Sequence, residues 1–474
     1  GSSAGIFGVV SGTVPKTITN TGDIITEAMP TGDTQSAGIY GEVTSAGSKL
    51  TIAHTGNITV NGDKSVGIYA KNGSGAVANL VIDNTITTGG VIKKGTININ
   101  KEKSVGIYAS NSTVSGVGKI TLSNDANESI GVYAEKGSAI TTNGAKINLG
   151  TGTDQNRVAY YVKNKDTALT GTNIGEISGY GVGVYLEGTS ATDVAELNAS
   201  STSLKYKTAA SSGDGIIGLY LRGNTDISGY GKQITVGDSV GVGAPNTKYA
   251  IGIYADRQGT AGNKYEIKAP ITTGANGIGI FVGKDDASNT GSSIKYSGTM
   301  IIGDETTSSG TGIYIADKPG TGDNEATLGS TSHIKLKGTN GVGVIIGKGS
   351  KLSVESGATS RATIELIGAA NIKGVGIYGL KGSQITGLDR LIFENHGKTA
   401  EMVRTVEGQA NIANTNANPG IVVTHVINGE TSLAALATIS TPANSYNNIG
   451  LMAQGIKNPT APAPFTSWDI GNYE

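Results

Sequence analysis

The sequence predicts an all-β protein: a right-handed parallel β-helix, a solenoid of about 13 coils with about 31 residues in each. Three observations predict this fold. A short motif returns at a regular interval, two further strand-like segments follow each copy, and glycine-rich corners separate these segments.

The recurring motif is clearest at Ser65–Ala70, with the sequence Ser-Val-Gly-Ile-Tyr-Ala, and it returns at Ser104–Ala109 and Ser129–Ala134. Its aromatic position marks thirteen copies that lie 24 to 39 residues apart. These positions are Phe7, Tyr40, Tyr69, Tyr108, Tyr133, Tyr161, Tyr185, Tyr220, Tyr254, Phe281, Tyr314, Ile345 and Tyr378. A fixed period in this range is typical of solenoids and other stacked arrays.

Within the motif, residues alternate as they do in an extended strand. Val66, Ile68 and Ala70 share one face, which is aliphatic in the other copies too, and we expect this face to be buried. Gly67 and Tyr69 share the other face, which we expect to form an outward stripe where each ring covers the neighbouring glycine. Such a stripe is a candidate for stacking on sugars, but so many identical copies favour a packing role.

Two short segments after each motif complete the coil. After Tyr40 these are Lys49–Ile52 and Asn57–Val60, separated by Gly56, and both are rich in Thr, Ile and Val. No helical periodicity of 12 residues is found in the first 390 residues. A propeller blade needs four antiparallel strands and usually about 40 residues or more, so a three-stranded β-helix coil fits the period better.

Excess residues in a solenoid project from one corner of a coil, where binding loops are found. The longest interval, from Tyr69 to Tyr108, predicts such a loop within residues 79–94. Further loops are predicted within residues 188–213 and 237–248.

The predicted organisation has three parts: coils over residues 1–382, an irregular interruption of the helix over 383–447, and a return to β-helix with a Pro-rich arm over 448–474. Inside the interruption we expect a strand at Leu388–Leu391 and short helical turns over Lys398–Val406. Because the first residues already resemble a coil, we expect the chain to be part of a longer protein.

Composition excludes several classes. The 36 basic and 37 acidic residues leave a net charge of −1, which is not the footprint of a nucleic-acid-binding protein. No apolar run is long enough for a transmembrane helix, and no signal peptide opens the chain. The 74 glycines fit frequent corners, and the absence of cysteine agrees with export across a bacterial outer membrane without selecting it.

The recurring Ser-Val-Gly-Ile-Tyr-Ala, followed by Lys71–Ser74 or by the similar Glu135–Ser138, resembles the passenger repeats of large bacterial autotransporter adhesins. It is most similar to the giant fusobacterial outer-membrane group that mediates coaggregation and host-cell attachment. The resemblance covers residues 1–382 well and 448–456 weakly. It implies a β-helical stalk on the bacterial cell surface, exported through a C-terminal translocator barrel that is not in this sequence, with adhesive rather than catalytic work.

Irregular aromatic residues are better candidates for ligand binding than regular ones. Six tyrosines lie off the regular positions in the middle third of the chain, four of them directly after a lysine. We predict ligand binding at Tyr180, Tyr206, Tyr230, Tyr249, Tyr265 and Tyr296. The alternative is that these rings cover strand edges.

Catalytic and metal sites are not expected. Polysaccharide hydrolases and lyases also use β-helices, and they need carboxylates from adjacent coils to converge in one groove. Asp238 with Asp256, or Asp285 and Asp286 with Asp304, are candidates, but most acids here lie in Gly-Asp turns. The four histidines are spaced singly, without zinc-type pairing, so no metal or cofactor is predicted.

The function predicted from sequence is therefore attachment, through corner loops, to a host glycan, a receptor protein or partner bacteria, with no nucleic acid as a partner. Two alternatives stay open: a polysaccharide hydrolase or lyase, and an inert spacer that holds an adhesive tip found elsewhere in a longer protein.

Overall fold

The computed structural model describes residues 3–413, apart from residues 28–35, 89–90, 143, 152–156, 164–166, 171–174, 191, 198–203, 208–215, 240–248, 257–263, 284–290, 305–309, 321, 356, 358–359, 369–372, 381, 395, 397–398 and 406–410. The described residues form two compact units, residues 3–207 and residues 216–413. Each unit is a stack of parallel coils, so the predicted all-β parallel β-helix is confirmed.

Each coil of the first unit contributes one strand to each of three parallel sheets. Strands are numbered in chain order. The first sheet contains β1 (Ser3–Val10), β4 (Ser36–Val43), β7 (Val66–Asn72), β12 (Val105–Ser110), β15 (Ile130–Glu135), β18 (Val158–Lys163) and β21 (Gly181–Gly188). The second contains β2 (Lys16–Asn20), β5 (Leu50–His54), β8 (Leu80–Asp83), β13 (Thr113–Gly116), β16 (Ala139–Thr141), β19 (Thr167–Thr170) and β22 (Ala195–Leu197). The third contains β3 (Ile24–Thr26), β6 (Asn57–Val60), β11 (Thr96–Ile99), β14 (Lys119–Leu122), β17 (Lys146–Asn148), β20 (Glu176–Ser178) and β23 (Leu204–Lys207).

The second unit repeats this plan. Its first sheet contains β24 (Ile216–Gly223), β27 (Ala250–Asp256), β30 (Ile278–Val282), β33 (Thr311–Ile315), β36 (Asn340–Ile346), β39 (Lys373–Gly379) and β42 (Thr399–Thr405). Its second sheet contains β28 (Tyr265–Ile267), β31 (Ser293–Tyr296), β34 (Glu325–Leu328), β37 (Lys351–Val354), β40 (Gln384–Thr386) and β43 (Asn411–Ala413), and this unit also contains the two-residue strand β25 (Thr225–Asp226). Its third sheet contains β26 (Ile234–Val236), β29 (Ile271–Thr273), β32 (Thr299–Ile302), β35 (His333–Leu336), β38 (Thr363–Leu366) and β41 (Ile392–Glu394).

Two kinds of element depart from the coil plan. An antiparallel hairpin in the first unit is formed by β9 (Thr85–Thr88) and β10 (Val91–Lys94). Short 3-10 turns lie at Val77–Asn79 and Leu388–Arg390. None of the helical segments that the structure describes is long and apolar enough to cross a membrane.

The aromatic position of the motif lies in register from coil to coil. Tyr69 pairs with Tyr40 on one side and Tyr108 on the other, and in the second unit Phe281 lies between Tyr254 and Tyr314. Neighbouring rings stack with centroids 4.6–5.3 Å apart, close to the spacing of adjacent strands. We call each stack of motif rings an aromatic column.

The aromatic columns are buried, so the expected outward stripe is wrong. Tyr108 has the most exposed ring among the motif tyrosines, at 6 %, whereas Phe7 in β1 is 48 % exposed. Strands β4 to β39 of the first sheet are buried on both faces, whereas β1 is partly exposed. Strands of the second and third sheets mostly alternate between a buried and a partly exposed residue. The tyrosines are therefore packing residues, and burial raises the pKa of the Tyr108 hydroxyl far above its ordinary value.

Several tyrosine hydroxyls of the aromatic columns donate to carboxylates of the same sheet. Tyr108 donates a hydrogen bond of 2.6 Å to Glu135, and Tyr40 donates one of the same length to Glu42. In the second unit, Tyr220 donates to Asp256, which is almost fully buried. A buried hydroxyl needs such a partner, so some acidic residues of this chain have a structural role as hydrogen-bond acceptors for buried tyrosines.

The motif position needs glycine because the backbone of the next coil comes too close for a Cβ atom, not because a tyrosine ring covers it. A Cβ at Gly106 would lie 2.5 Å from the carbonyl oxygen of Gly131 in the next coil and 3.1 Å from Ile120 of the third sheet. Real Cβ atoms do not come that close to a backbone oxygen. The ring that was expected to cover this glycine instead stacks on other rings.

The motif serine links coils at the corner that precedes the first sheet. The backbone N–H of Ser65 donates to Oγ of Ser104, and the N–H of Ser104 donates to Oγ of Ser129. All three serines are buried. Because a buried N–H without a partner is costly, this column explains why serine opens the motif.

Coil pairing continues beyond residue 382. β40, β41, β42 and β43 pair in parallel with the strands of the preceding coil. The local expectations here are wrong: Leu388–Arg390 is a 3-10 turn, not a strand, and Thr399–Thr405 is a strand, not a helical turn. Thr399–Thr405 forms a strand because it pairs with the open hydrogen-bonding edge of β39, and this tertiary pairing overrides a weak local preference for helix. Residues 414–474 lie outside the described part of the chain.

Candidate functional site

The tyrosines predicted to bind a ligand lie inside the fold where they are described. Tyr249 is 7 % exposed, and the others are at most 3 % exposed: Tyr180, Tyr230, Tyr265 and Tyr296. Tyr265 donates its hydroxyl proton to the carbonyl of Gly223, and Tyr296 donates to that of Ala269. This burial contradicts a role in stacking on an external ligand and fits the alternative, packing at strand edges. The side chain of Tyr206 lies outside the described residues.

The acids considered for catalysis serve separate local roles. Asp238 accepts a hydrogen bond from the N–H of Ala275 in a turn, whereas Asp256 accepts one from Tyr220. Asp285 and Asp286 lie outside the described residues. The pairing of Asp238 with Asp256 therefore carries no catalytic argument.

The predicted long loop within residues 79–94 is confirmed as the hairpin of β9 and β10. Its strands pair Val91 with Thr88 and Lys94 with Thr85. The second strand is exposed along its length, and Val91 and Ile92 are 62 % and 60 % exposed. The hairpin sequence, Thr-Ile-Thr-Thr-Gly-Gly-Val-Ile-Lys-Lys, contains two lysines and no acid.

Asn84 closes the base of the hairpin. It is fully buried, and its side-chain amide donates to the carbonyls of Gly95 and Val117 at 3.2 and 2.7 Å. The N–H of Gly95 in turn donates to the carbonyl of Asn84. The flanking strands β8 and β11 keep their parallel partners, with one register shift between β8 and β13 at Asp83, so the hairpin projects without breaking the coil.

A second cluster lies on the outward positions of the third sheet in the second unit. Register places Glu365 of β38 between Lys335 of β35 and Glu394 of β41. His333 precedes Lys335 by two residues on β35, and His396 follows Glu394 by two residues. We call these five residues the His–Glu cluster.

Glu365 is the centre of the His–Glu cluster. His396 Nε2 donates to its Oε1 at 2.9 Å, and His333 Nε2 lies 2.8 Å from its Oε2. Lys335 Nζ lies 3.6 Å from the same Oε2, and Glu394 Oε2 lies 3.8 Å from His396 Nε2. These side chains are 15–31 % exposed, so solvent screens them only in part.

The electrostatics of the cluster favour an ionised Glu365. Burial disfavours its charged form, but the hydrogen bond from His396 and the charges of Lys335 and His333 outweigh burial. The pKa of Glu365 is therefore below its ordinary value.

His396 has a left-handed backbone conformation, with φ of 49°. A residue other than glycine adopts this conformation only at a cost, unless the surrounding structure fixes it. Here it directs the imidazole back toward Glu365, with which it forms its hydrogen bond.

Sequence reasoning missed the His–Glu cluster because it searched for histidines a few residues apart. His333, Glu365 and His396 are separated by 32 and 31 residues, which is the coil period itself. A search for histidines and acids at one coil spacing would have found them. His54 is buried in β5, and His425 lies outside the described residues.

The cluster meets one condition set for a β-helix enzyme, since acids and bases from adjacent coils converge. Glycoside cleavage also needs a carboxylic acid that keeps its proton, which requires a raised pKa. The two described carboxyl groups with a resolved pKa shift are Glu365 and Asp323, and both shift downward. Glu365 is therefore not the protonated acid that such a reaction needs.

Comparisons with known proteins add no relative. No family model, no curated protein and no solved structure matches the chain. The resemblance to autotransporter passengers therefore depends on the repeat residues alone.

Proposed function

We propose that this chain is a segment of a bacterial cell-surface adhesin, part of the β-helical passenger of a fusobacterial-type autotransporter, and that it attaches to host cells or other bacteria. The observation that carries the proposal is the hairpin of β9 and β10, a projection from an otherwise regular framework. Loops held by a rigid scaffold are the usual sites of binding.

The chemistry of the hairpin indicates the kind of partner. Val91 and Ile92 present apolar surface, and Lys93 and Lys94 add positive charge. Lys94 donates to the carbonyl of Gly144, which ties the hairpin to a neighbouring corner. A partner that combines apolar surface with acidic groups fits, either a receptor protein or an acidic host glycan.

The first experiment measures binding of the chain to a glycan array and to whole host cells, with soluble galactosides as competitors. Val91→Ser combined with Ile92→Ser is expected to remove binding. Val14→Ser is the matched control, since Val14 is equally exposed, at 63 %, and lies outside the hairpin.

The outcomes separate the alternatives. Binding that a sugar abolishes assigns a glycan ligand, and binding that no sugar inhibits assigns a protein receptor. Binding that survives the double substitution would move adhesion away from the hairpin. Absence of all binding, from a chain with a β-type circular dichroism spectrum, would favour the inert spacer.

The second candidate is polysaccharide cleavage, which the convergence of Glu365, Glu394 and His396 favours. Incubation with neutral and acidic polysaccharides, followed by a reducing-end or unsaturated-product assay, tests it. Turnover that Glu394→Gln abolishes would replace adhesion with catalysis as the conclusion.

A further inference from the structure

The His–Glu cluster places nitrogen and oxygen ligand atoms from two successive coils within reach of one ion. The candidate ligand atoms of Glu365, Glu394 and His396 all lie within 4.8 Å of one another. A tetrahedral ion with bonds of about 2.0–2.1 Å holds its ligands about 3.3 Å apart. The separations of 2.9 Å from His396 to Glu365 and 3.8 Å from His396 to Glu394 bracket that value.

His333 lies beside the candidate ligands. Its Nε2 atom is shielded from solvent and lies 2.8 Å from Oε2 of Glu365, so a protonated imidazole forms an ion pair with that carboxylate. His333 is therefore a neighbour of Glu365 and not one of the three ligands whose atoms lie within 4.8 Å of one another.

We propose that Glu365, Glu394 and His396 bind a divalent transition-metal ion of the zinc type, with His333 beside Glu365. Imidazole with carboxylate suits Zn²⁺, Co²⁺, Ni²⁺ and Cu²⁺, whereas Mg²⁺ and Ca²⁺ prefer ligand sets made only of oxygen. The ion would connect β38 with β41 and the turn that follows it, and so link two successive coils of the second unit.

Lys335 is the electrostatic competitor of the ion. Its Nζ lies 3.6 Å from Oε2 of Glu365, and it partly neutralises the carboxylate that the ion needs. Replacement of this lysine by a neutral residue should therefore tighten metal binding, a gain that a purely structural ion-pair network does not predict.

The experiment measures Zn²⁺ affinity of the tag-free chain by competition with a chromophoric chelator, with Mg²⁺ as the comparison ion. The absence of cysteine removes thiolates as competing ligands. We expect one Zn²⁺ per chain and no competition from Mg²⁺. His396→Gln and Glu394→Gln should each weaken binding by at least about tenfold, because even residues behind the direct ligands have effects of that size.

Three further variants sharpen the test. Lys335→Gln should lower the Kd for Zn²⁺. Glu176→Gln is the matched control, since Glu176 lies on the third sheet of the first unit, paired with Lys146 and without histidine, and should leave the Kd unchanged. His425→Asn should also leave it unchanged, which excludes that histidine as the source of binding.

A second readout uses stability. Because a ligand that binds only the folded state raises the unfolding temperature, Zn²⁺ should raise it for the wild-type chain and not for His396→Gln. No Zn²⁺ binding, or binding that both His396→Gln and Glu394→Gln leave unchanged, would overturn the proposal. The inference does not depend on adhesion, and either result is compatible with the proposed function.

Discussion

The aromatic column and the His–Glu cluster have the same geometry, the stacking of successive coils, but differ in the residues at the stacked positions and in their burial. In both, equivalent positions of successive coils lie one strand spacing apart. The aromatic column repeats nearly the same residue in each coil and is buried. The His–Glu cluster changes from Lys335 to Glu365 to Glu394 along one line and is partly exposed.

This difference shows how to separate structure from function in a solenoid. A residue that recurs in every coil has a structural role that every coil needs, such as filling space or pairing a buried N–H. A residue that departs from the repeat at an outward position has no such structural role and is a candidate for function. The off-period tyrosines show the limit of this rule, since they break the repeat but lie inside the fold.

The largest effect is expected in the aromatic column. Tyr108→Ala removes a buried ring that stacks on Tyr69 and Tyr133, and should lower the free energy of unfolding by about 3–5 kcal/mol. Tyr108→Phe keeps the ring, loses the bond to Glu135, and should cost about 1 kcal/mol. Urea unfolding followed by circular dichroism measures both. Equal losses for the two variants would show that the hydroxyl, not the stacked ring, carries the stability.

A smaller loss is expected at the motif glycine. Gly106→Ala places a methyl group against the carbonyl of Gly131 and should cost about 1–3 kcal/mol. Gly12→Ala is the control, because its Cβ meets nothing within 4 Å, and it should be neutral or slightly stabilising. If the two substitutions cost the same in thermal melts, close packing of the first sheet does not explain the glycine.

The free energy of unfolding of the first unit should depend on pH, in part through the titration of His54. Burial lowers its pKa in the folded state, although neighbouring backbone hydrogen bonds oppose the shift. The unfolded chain therefore takes up a proton first, and the unfolding free energy should fall as pH decreases below about 6.5. His54→Asn should flatten this slope between pH 7 and 5. An unchanged slope would assign the pH dependence to other groups.

The smallest effect is expected in the His–Glu cluster without metal. Glu365→Gln should cost less than about 1 kcal/mol at pH 7, since partly exposed ion pairs contribute little. The folded pKa of Glu365 is lowered, so its contribution is present above the ordinary pKa and is lost as pH falls below it. Unfolding curves at pH 7 and pH 3 measure both statements. A loss as large as that of Tyr108→Ala would remove the contrast between column and cluster.

The fold was predictable from sequence because the period is a direct record of the stacking. Each copy of Ser-x-Gly-x-Tyr carries the corner serine, the close-approach glycine and the stacked ring of one coil. The long interval before Tyr108 located the hairpin, because residues in excess of one coil period must project from the coil. Burial of the tyrosine face was not predictable, since alternation defines two faces without saying whether both are covered.

The candidate site was less predictable. Side chains at positions 333, 365 and 396 meet only once the register between coils is known, and a single residue of slip would turn them to the other face. The choice of Tyr249, Tyr265 and Tyr296 was wrong because a lysine beside a tyrosine says little about where the ring points. A mixed pattern of aromatic and charged residues fits a strand edge as well as a binding surface.

The closed base of the hairpin separates the displayed segment from the strand pairing of its own coil. Asn84 and Gly95 complete the coil by themselves, so the strands on either side have the same partners whatever lies between these two residues. Lengthening a surface loop costs only slowly increasing entropy. The displayed segment can therefore be exchanged, lengthened or deleted, in evolution or by protein engineering, while the scaffold that presents it stays the same.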